Sequence, residues 1–199
     1  MIDLGPAKEN EMVLAFLRAE IDSVRAGQFY SAALSNLKVS RRSIIDRPDL
    51  LSVEDNQIRN VLLTLVRGYG NGTYQFQRFP ANVTWRRIAL DPSELCAFKY
   101  ANHRDWVTLS GGTRRVVDGA ANIHSIYLAN GTNRNILAVV DGVKTGKKYP
   151  ELIAVEGEDQ TVVLIEGHTR ATAYALAQLP ERIECIVGSS PIMNQWAFY

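Results

Sequence analysis

Five residues of mixed chemistry lie where an apolar run meets an alanine-rich segment. The run at 162–165 is VVLI, the segment at 171–177 is ATAYALA, and between them stand Glu166, Gly167, His168, Thr169 and Arg170. The carboxylate of Glu166 can act as a base or contact a metal, and the imidazole of His168 can donate a hydrogen bond or carry a proton. The guanidinium of Arg170 can bind an anion. These five residues are the first candidates for a functional site.

The surrounding pattern predicts a buried strand that turns into a helix at Gly167. The first N–H groups of a helix have no partner within it, and the helix dipole favours negative charge there. Gly167 would let the backbone approach a phosphate closely, Arg170 would donate hydrogen bonds to it, and Glu166 and His168 would flank it. The same spacing also fits a plain glycine turn, with Arg170 on the surface and His168 as a hydrogen-bonded polar group.

Two other basic segments are weaker candidates for phosphate contacts. The stretch SGGTRR at 110–115 sets glycines before a predicted helix, so Arg114 or Arg115 would reach a phosphate or a base. Lys144, Lys147 and Lys148 crowd a loop and would lie over bound phosphates, although both segments also fit solvated loops. The chain contains no G-x-x-x-x-G-K-[ST] sequence, which excludes a Walker A loop.

Composition and charge are those of an ordinary globular chain. The formal net charge is +1, so the whole molecule does not attract nucleic acid or an anionic membrane, and any such binding needs a local patch. The N-terminus shows no basic segment followed by an apolar one, which a secretory signal peptide would have, and no stretch is apolar enough to span a bilayer. We therefore expect a cytoplasmic protein with no membrane partner. Cys96 and Cys185 are too few and too far apart in sequence for a disulfide framework or a four-ligand zinc site.

Helical patterns dominate the first 80 residues. Apolar residues at 13, 16, 17, 21 and 24 predict a helix that stops at Gly27, and a weaker helical pattern covers 29–37. Ser52 and Asp55 form a capping-box start for a third helix, whose apolar stripe is predicted at 58, 61, 62 and 65 and whose stop is Gly68. We expect residues 1–80 to form a helical extension packed on the rest of the chain.

Short strands alternate with helices after residue 80. Strands are predicted at 83–90, 151–155, 161–165 and 182–188, and helices after the Asp91 cap, over 133–146 and over 170–179. This alternation predicts an α/β or α+β domain over 81–199, built from a mixed sheet with helices.

The turn also carries a family resemblance. Gly167, Arg170 and Ala173 match the pattern G-x-x-R-x-x-A, and the string EGHTR is similar to the D-G-H-x-R sequence of many ParB-like proteins. Upstream, a helix ending in glycine leads through a loop to a proline and a strand. Over 133–187 the chain therefore resembles the ParB/sulfiredoxin superfamily, which implies a ParB/sulfiredoxin-like fold with a nucleotide-binding site.

Members of that superfamily bind nucleotide phosphates at the glycine-arginine turn. By resemblance, Gly167, Thr169 and Arg170 would hold the phosphates of an NTP, ATP or CTP, with Mg²⁺. Glu166 and His168 would be catalytic, and Glu166 would also contact the metal. The two basic segments supply Lys144 and Arg114 as further expected phosphate contacts. Sulfiredoxins need a cysteine directly after the motif glycine, and His168 at that place argues against their activity.

The expected activity is NTP hydrolysis or phosphoryl transfer to a small acceptor. One alternative is a regulator that senses a nucleotide and binds DNA or protein without turnover. Another is a ParB-like nuclease. The sequence does not choose the base, the acceptor or the oligomeric state.

Overall fold

A five-stranded mixed sheet runs through the computed structural model, which describes residues 1–129 and 131–199. The order of strands across the sheet is β1-β2-β5-β3-β4. Strands β3 and β5 are parallel, and the other neighbouring pairs are antiparallel. The strands are β1 (Ile2–Ala7), β2 (Thr84–Leu90), β3 (Leu152–Glu156), β4 (Val162–Glu166) and β5 (Ile183–Ser189).

Helices fill the connections between the strands. Before β2 the chain forms α1 (Glu9–Glu20), α2 (Gly27–Asn36) and α3 (Val53–Arg67). After β2 it forms α4 (Pro92–Leu95), α5 (Arg104–Leu109), α6 (Val116–Ala121), α7 (Thr132–Lys144) and α8 (His168–Ala177). Single helical turns occur at Arg42–Asp46, Tyr74–Phe76 and Met193–Gln195. The molecule is therefore a mixed α/β protein, as the alternation of patterns predicts.

Each face of the sheet is covered by a helical layer. Side chains alternate along a strand, so Ile153 and Val155 of β3 enter one core while Leu152 and Ala154 enter the other. The first core contains buried side chains of α1, α2 and α3, and the second contains those of α5 to α8. A strand covered on both faces has no polar side, which accounts for the continuous apolar run of β3.

Capping signals locate several helix ends correctly. The Ser52 side chain accepts a hydrogen bond from the Asp55 amide at the start of α3, and Gly68 ends that helix with φ +80°. The Asp91 capping box at the start of α4 is also present. The predicted apolar stripe of α3 is wrong in part, because Val61 and Leu65 are exposed while Arg59 is buried.

Residues 1–80 are not purely helical, since the chain opens with a strand. Ile2 to Ala7 pair with β2 and form one edge of the sheet. Helix α1 ends at Glu20, before the predicted stop, and Gly27 begins α2. Val24 lies in the connection between them and is 93% exposed, so it does not belong to the apolar stripe. Gly27 is needed for packing, because a Cβ there would lie 2.6 Å from the Ile21 carbonyl oxygen.

In the described part of the chain, no helix has both the length and the apolar character that crossing a membrane requires.

Candidate functional site

The predicted strand-to-helix turn exists and begins at the end of β4. Gly167 is the N-cap of α8 with φ +98°, a left-handed conformation that side chains other than glycine rarely adopt. A Cβ at this position would lie 2.5 Å from Leu152 Cδ2 and 3.1 Å from an Arg170 nitrogen. Both the backbone conformation and the close packing therefore require glycine at the turn.

Arg170 ties the turn to the start of β3. Its Nη1 donates to the carbonyl oxygens of Pro150 at 2.5 Å and Glu151 at 3.3 Å, and its Nη2 lies 3.3 Å from Glu166 Oε1. The side chain is 8% exposed. Arg170 is therefore not the surface residue of the plain-turn interpretation, because it is buried and held by three acceptors.

Glu166 belongs to a largely buried charged cluster that joins the sheet to the helical layer formed by α1, α2 and α3, and we call these three helices the helical layer below. Glu20, at the end of α1, accepts hydrogen bonds from Arg67 Nε at 2.7 Å and from the Tyr30 hydroxyl at 2.9 Å. Burial, followed by the negative charge of Glu20, raises the pKa of the Glu166 carboxyl above its usual range. The positive charges of Arg170 and Arg67 act in the opposite direction.

His168 is the first residue of α8 and is buried against aromatic rings. Its Nε2 accepts a hydrogen bond from the Ala101 amide at 3.2 Å, which assigns the ring proton to Nδ1. The ring stacks on Trp106 with centroids 5.1 Å apart. Burial, with the nearby His103 and several arginines, lowers the pKa of His168 well below its usual value. The imidazole is therefore neutral at pH 7 and has one N–H to donate.

A cleft of about 680 Å³ lies between the turn and the helical layer, and we call it the anion cleft. Glu166, Gly167, His168, Thr169 and Arg170 form one part of its wall. The rest comes from the end of α1 and the following turn, from α7, and from the loop before β3. Those residues are Arg18, Ala19, Glu20, Asp22, Ser23, Val24, Arg25, Asn135, Ala138, Val139, Lys147, Lys148, Tyr149 and Pro150.

The carboxylates of this cleft each have an arginine partner. Asp22 forms a bidentate pair with Arg41 at 2.6 and 2.9 Å, Glu20 is paired with Arg67, and Glu166 with Arg170.

Four other cations of the same wall have no such partner. Within residues 1–129 and 131–199, Arg18, Arg25, Lys147 and Lys148 form no salt bridge. Because the acids are already compensated, these cations give the cleft an excess of positive charge.

A second cleft of about 610 Å³ adjoins the first. The two clefts share Glu20, Arg25, Glu166 and His168. The remainder of the second cleft comes from the end of α3, the segment 74–77, the segment 103–106, the end of β4 and Phe198. Those lining residues are Arg67, Tyr74, Gln75, Gln77, His103, Arg104, Asp105, Trp106, Ile165 and Phe198.

Two of the predicted phosphate contacts lie elsewhere. Lys144 is exposed at the end of α7 and is absent from the walls of both clefts, where its neighbours Lys147 and Lys148 appear instead. Arg114 donates to the carbonyl oxygens of Tyr100, Phe198 and Tyr199 and therefore holds the last residues of the chain in place. Neither side chain lines a cleft, although the charge of Arg114 acts on His168.

Sequence reasoning missed the contribution of α1 to the site. Glu20 lies four residues after Phe16 and three after Leu17, so it falls on the apolar stripe of α1. An acid on an apolar stripe is a signal for a buried, paired carboxylate, and this signal was available. No local pattern indicated that Arg25 and Tyr74 would reach the same region.

Metal ligands are sparse around the turn. Among the residues that the structure describes, no three or more His, Cys, Asp or Glu side chains are grouped to hold a metal. Mg²⁺ commonly takes one or two carboxylates and completes its shell with water and phosphate oxygens. Glu20 accepts two hydrogen bonds from Arg67 and one from Tyr30, whereas Glu166 accepts one long hydrogen bond from Arg170, so Glu166 is the carboxylate with room for such a shared metal.

The chain matches no protein-family model, no curated protein and no solved structure.

Proposed function

We propose that this chain is a nucleotide-binding protein of the ParB/sulfiredoxin type, with the phosphates in the anion cleft. The observation that carries the proposal is the excess charge of that cleft. Its carboxylates are paired with arginines, whereas Arg18, Arg25, Lys147 and Lys148 carry no salt bridge among the described residues. A phosphate group supplies the missing negative charge, and the start of α8 adds N–H donors that have no helical partner.

The favoured activity is NTP hydrolysis or phosphoryl transfer to a small acceptor. In this proposal the backbone at Gly167 and Thr169 contacts the phosphates, and Arg170 positions the turn and adds its charge. His168 donates its Nδ1 proton in a hydrogen bond as negative charge develops. Glu166 would hold Mg²⁺ and would orient a water or an acceptor hydroxyl. Bound Mg²⁺ would neutralise phosphate charge.

Two other functions use the same cleft and stay as alternatives. A regulator would bind the nucleotide without turnover and pass the signal to DNA or another protein. A nuclease would use Glu166 and His168 on a nucleic-acid phosphate. We favour chemistry over simple binding because the anion cleft places a carboxyl, Glu166, and an imidazole N–H, His168, beside the proposed phosphate position, where they can accept and donate protons.

The binding proposal is tested at the loop before β3. Replacing Lys147 and Lys148 by alanine together removes two of the unpaired cations, so we expect the affinity for ATP, CTP or GTP with Mg²⁺ to fall about tenfold, or ~1.4 kcal/mol. Isothermal titration calorimetry measures this change. The control is Lys144→Ala in the same segment, which removes one positive charge outside both clefts and should leave the affinity unchanged.

A loss of binding free energy in the control that is about half the loss in the double variant would show that the lysines act only through general charge, because the control removes half as much charge. If the wild-type protein binds none of the three nucleotides and no inorganic phosphate compound, the anion cleft is not a phosphate site.

A further inference from the structure

The second cleft has an aromatic wall beside the charged one. Tyr74, His103, Trp106 and Phe198 all line it. The rings of His103 and Phe198 lie with centroids 4.2 Å apart, and Trp106 stacks on His168. Tyr74 is 67% exposed, so its ring is accessible to a ligand in this cleft.

Two clefts that share four residues can hold two parts of one ligand. The shared residues Glu20, Arg25, Glu166 and His168 stand at the junction, with the unpaired lysines on one side and the aromatic rings on the other. A nucleotide has the matching division, since its phosphates are anionic and its base is a flat aromatic ring. Phosphates in the anion cleft would direct the rest of the molecule toward Tyr74.

We infer that the second cleft is the base-binding site of this nucleotide, with Tyr74 as its main stacking platform. The inference rests on the proposed function and assigns the part of the ligand that the glycine-arginine turn does not contact. Bases stack on exposed aromatic side chains with little preference for sequence, and the exposed Gln77 amide offers a donor and an acceptor for a base edge.

The ligand class is a mononucleotide and not a nucleic-acid strand. Each cleft has the volume of a small-molecule site, about 610 and 680 Å³. A strand would need a basic track that continues past the clefts. A mononucleotide needs positive charge mainly around its phosphates, and three cations that form no salt bridge among the described residues line the anion cleft and not the second cleft: Arg18, Lys147 and Lys148.

Residues before position 80 therefore belong to the binding site. Arg25 follows α1, Tyr74 and Gln77 follow α3, and all three line the second cleft. The helical layer contributes to ligand recognition as well as to the core, while the turn before α8 contributes phosphate contacts.

Calorimetric titration of inorganic triphosphate, ATP, CTP and GTP into four proteins tests the inference. The proteins are wild type, Tyr74→Ala, Tyr74→Phe and the control Tyr127→Ala, whose ring is 78% exposed and lines neither cleft. We expect Tyr74→Ala to weaken binding of the preferred nucleotide about tenfold while triphosphate binding stays the same. Tyr74→Phe keeps the stacking surface and should bind like wild type.

The possible failures are distinguishable. If triphosphate binds as well as every nucleotide, or if Tyr74→Phe loses as much affinity as Tyr74→Ala, the base site is wrong and the phosphate site stands. If neither triphosphate nor a nucleotide binds, the proposed function fails and the base site with it. Tighter binding of a single-stranded oligonucleotide than of a mononucleotide would replace the inference by a nucleic-acid site.

Discussion

Two carboxylates at the junction of the clefts occupy opposite environments. Glu20 accepts hydrogen bonds from Arg67 and Tyr30. Glu166 is partly buried near that carboxylate, and its pKa is raised although Arg170 is 3.3 Å away. A raised pKa makes Glu166 a better proton acceptor than an ordinary carboxylate. Glu166 is therefore the residue whose substitution best separates catalysis from binding.

The substitution Glu166→Gln should reduce turnover about a hundredfold or more while nucleotide affinity changes little. The amide keeps the shape and still accepts a hydrogen bond from Arg170, but it lacks the charge that orients a metal or a nucleophile. Phosphate release and transfer from bound NTP to small hydroxyl compounds measure turnover, with Glu158→Gln, an exposed acid, as the control.

Three results would change the assignment. Turnover that survives Glu166→Gln removes that residue from the mechanism, and a wild-type protein that binds nucleotide without any turnover is the regulator. Cleavage of single-stranded or duplex DNA without nucleotide turnover identifies the nuclease.

At the scale of the element, the β4–α8 turn is held from two directions. Arg170 reaches back to the carbonyl oxygens of Pro150 and Glu151, and Gly167 packs against Leu152 of β3. The turn is thus fixed to the strand beside it, which keeps the first N–H groups of α8 at the cleft wall. A rigid turn of this kind orients its donors before a ligand arrives.

Gly167→Ala should destabilise the protein more than Gly146→Ala does. Both glycines have positive φ, +98° and +80°, but a Cβ at 146 meets no atom within 4 Å. The strained backbone alone costs roughly 1 kcal/mol of unfolding free energy at Gly146, and crowding against Leu152 should raise the cost at Gly167 to about 2 kcal/mol or more. Urea unfolding followed by circular dichroism measures both. Equal losses would show that Leu152 moves aside without cost.

At the scale of the whole molecule, one sheet joins the two ends of the chain. Strand β1 pairs with β2, and the core beneath α1, α2 and α3 includes Ile153 of β3, Ile165 of β4 and Ile186 of β5. Trp196 near the C-terminus donates its indole N–H to the Gln75 carbonyl oxygen at 2.8 Å. Both clefts lie where the helical layer of α1, α2 and α3 meets the sheet, so the shape of the clefts depends on how these helices pack on the sheet.

We therefore expect residues 1–80 to stay with the rest of the chain during limited proteolysis. Brief digestion with trypsin or chymotrypsin, followed by mass spectrometry, should show no stable C-terminal fragment that begins near residues 70–82, because removal of β1 and the helices exposes one face of the sheet. Rapid release of such a fragment would show that 81–199 is an independent domain, and it would also remove Glu20 and Arg25 from the site.

Local signals were sufficient for much of the fold and for the turn. Alternation located β2, short apolar runs located β3, β4 and β5, and capping residues such as Ser52, Gly68 and Asp91 located helix ends, because these features depend on neighbours a few residues apart. The strand at Ile2–Ala7 was missed, since an edge strand with mostly exposed side chains has no apolar alternation to reveal it.

The sequence by itself determined a glycine turn between a buried strand and a helix, with Glu166, His168 and Arg170 around it. Tertiary structure alone decided what these side chains meet: backbone carbonyls for Arg170, the Ala101 amide for His168, and Glu20 as the charged neighbour of Glu166. The difference lies in how far apart along the chain the interacting residues are. A turn is set by the backbone conformations of adjacent residues, whereas a cleft is set by how distant elements pack across a sheet, and residue spacing does not predict that packing.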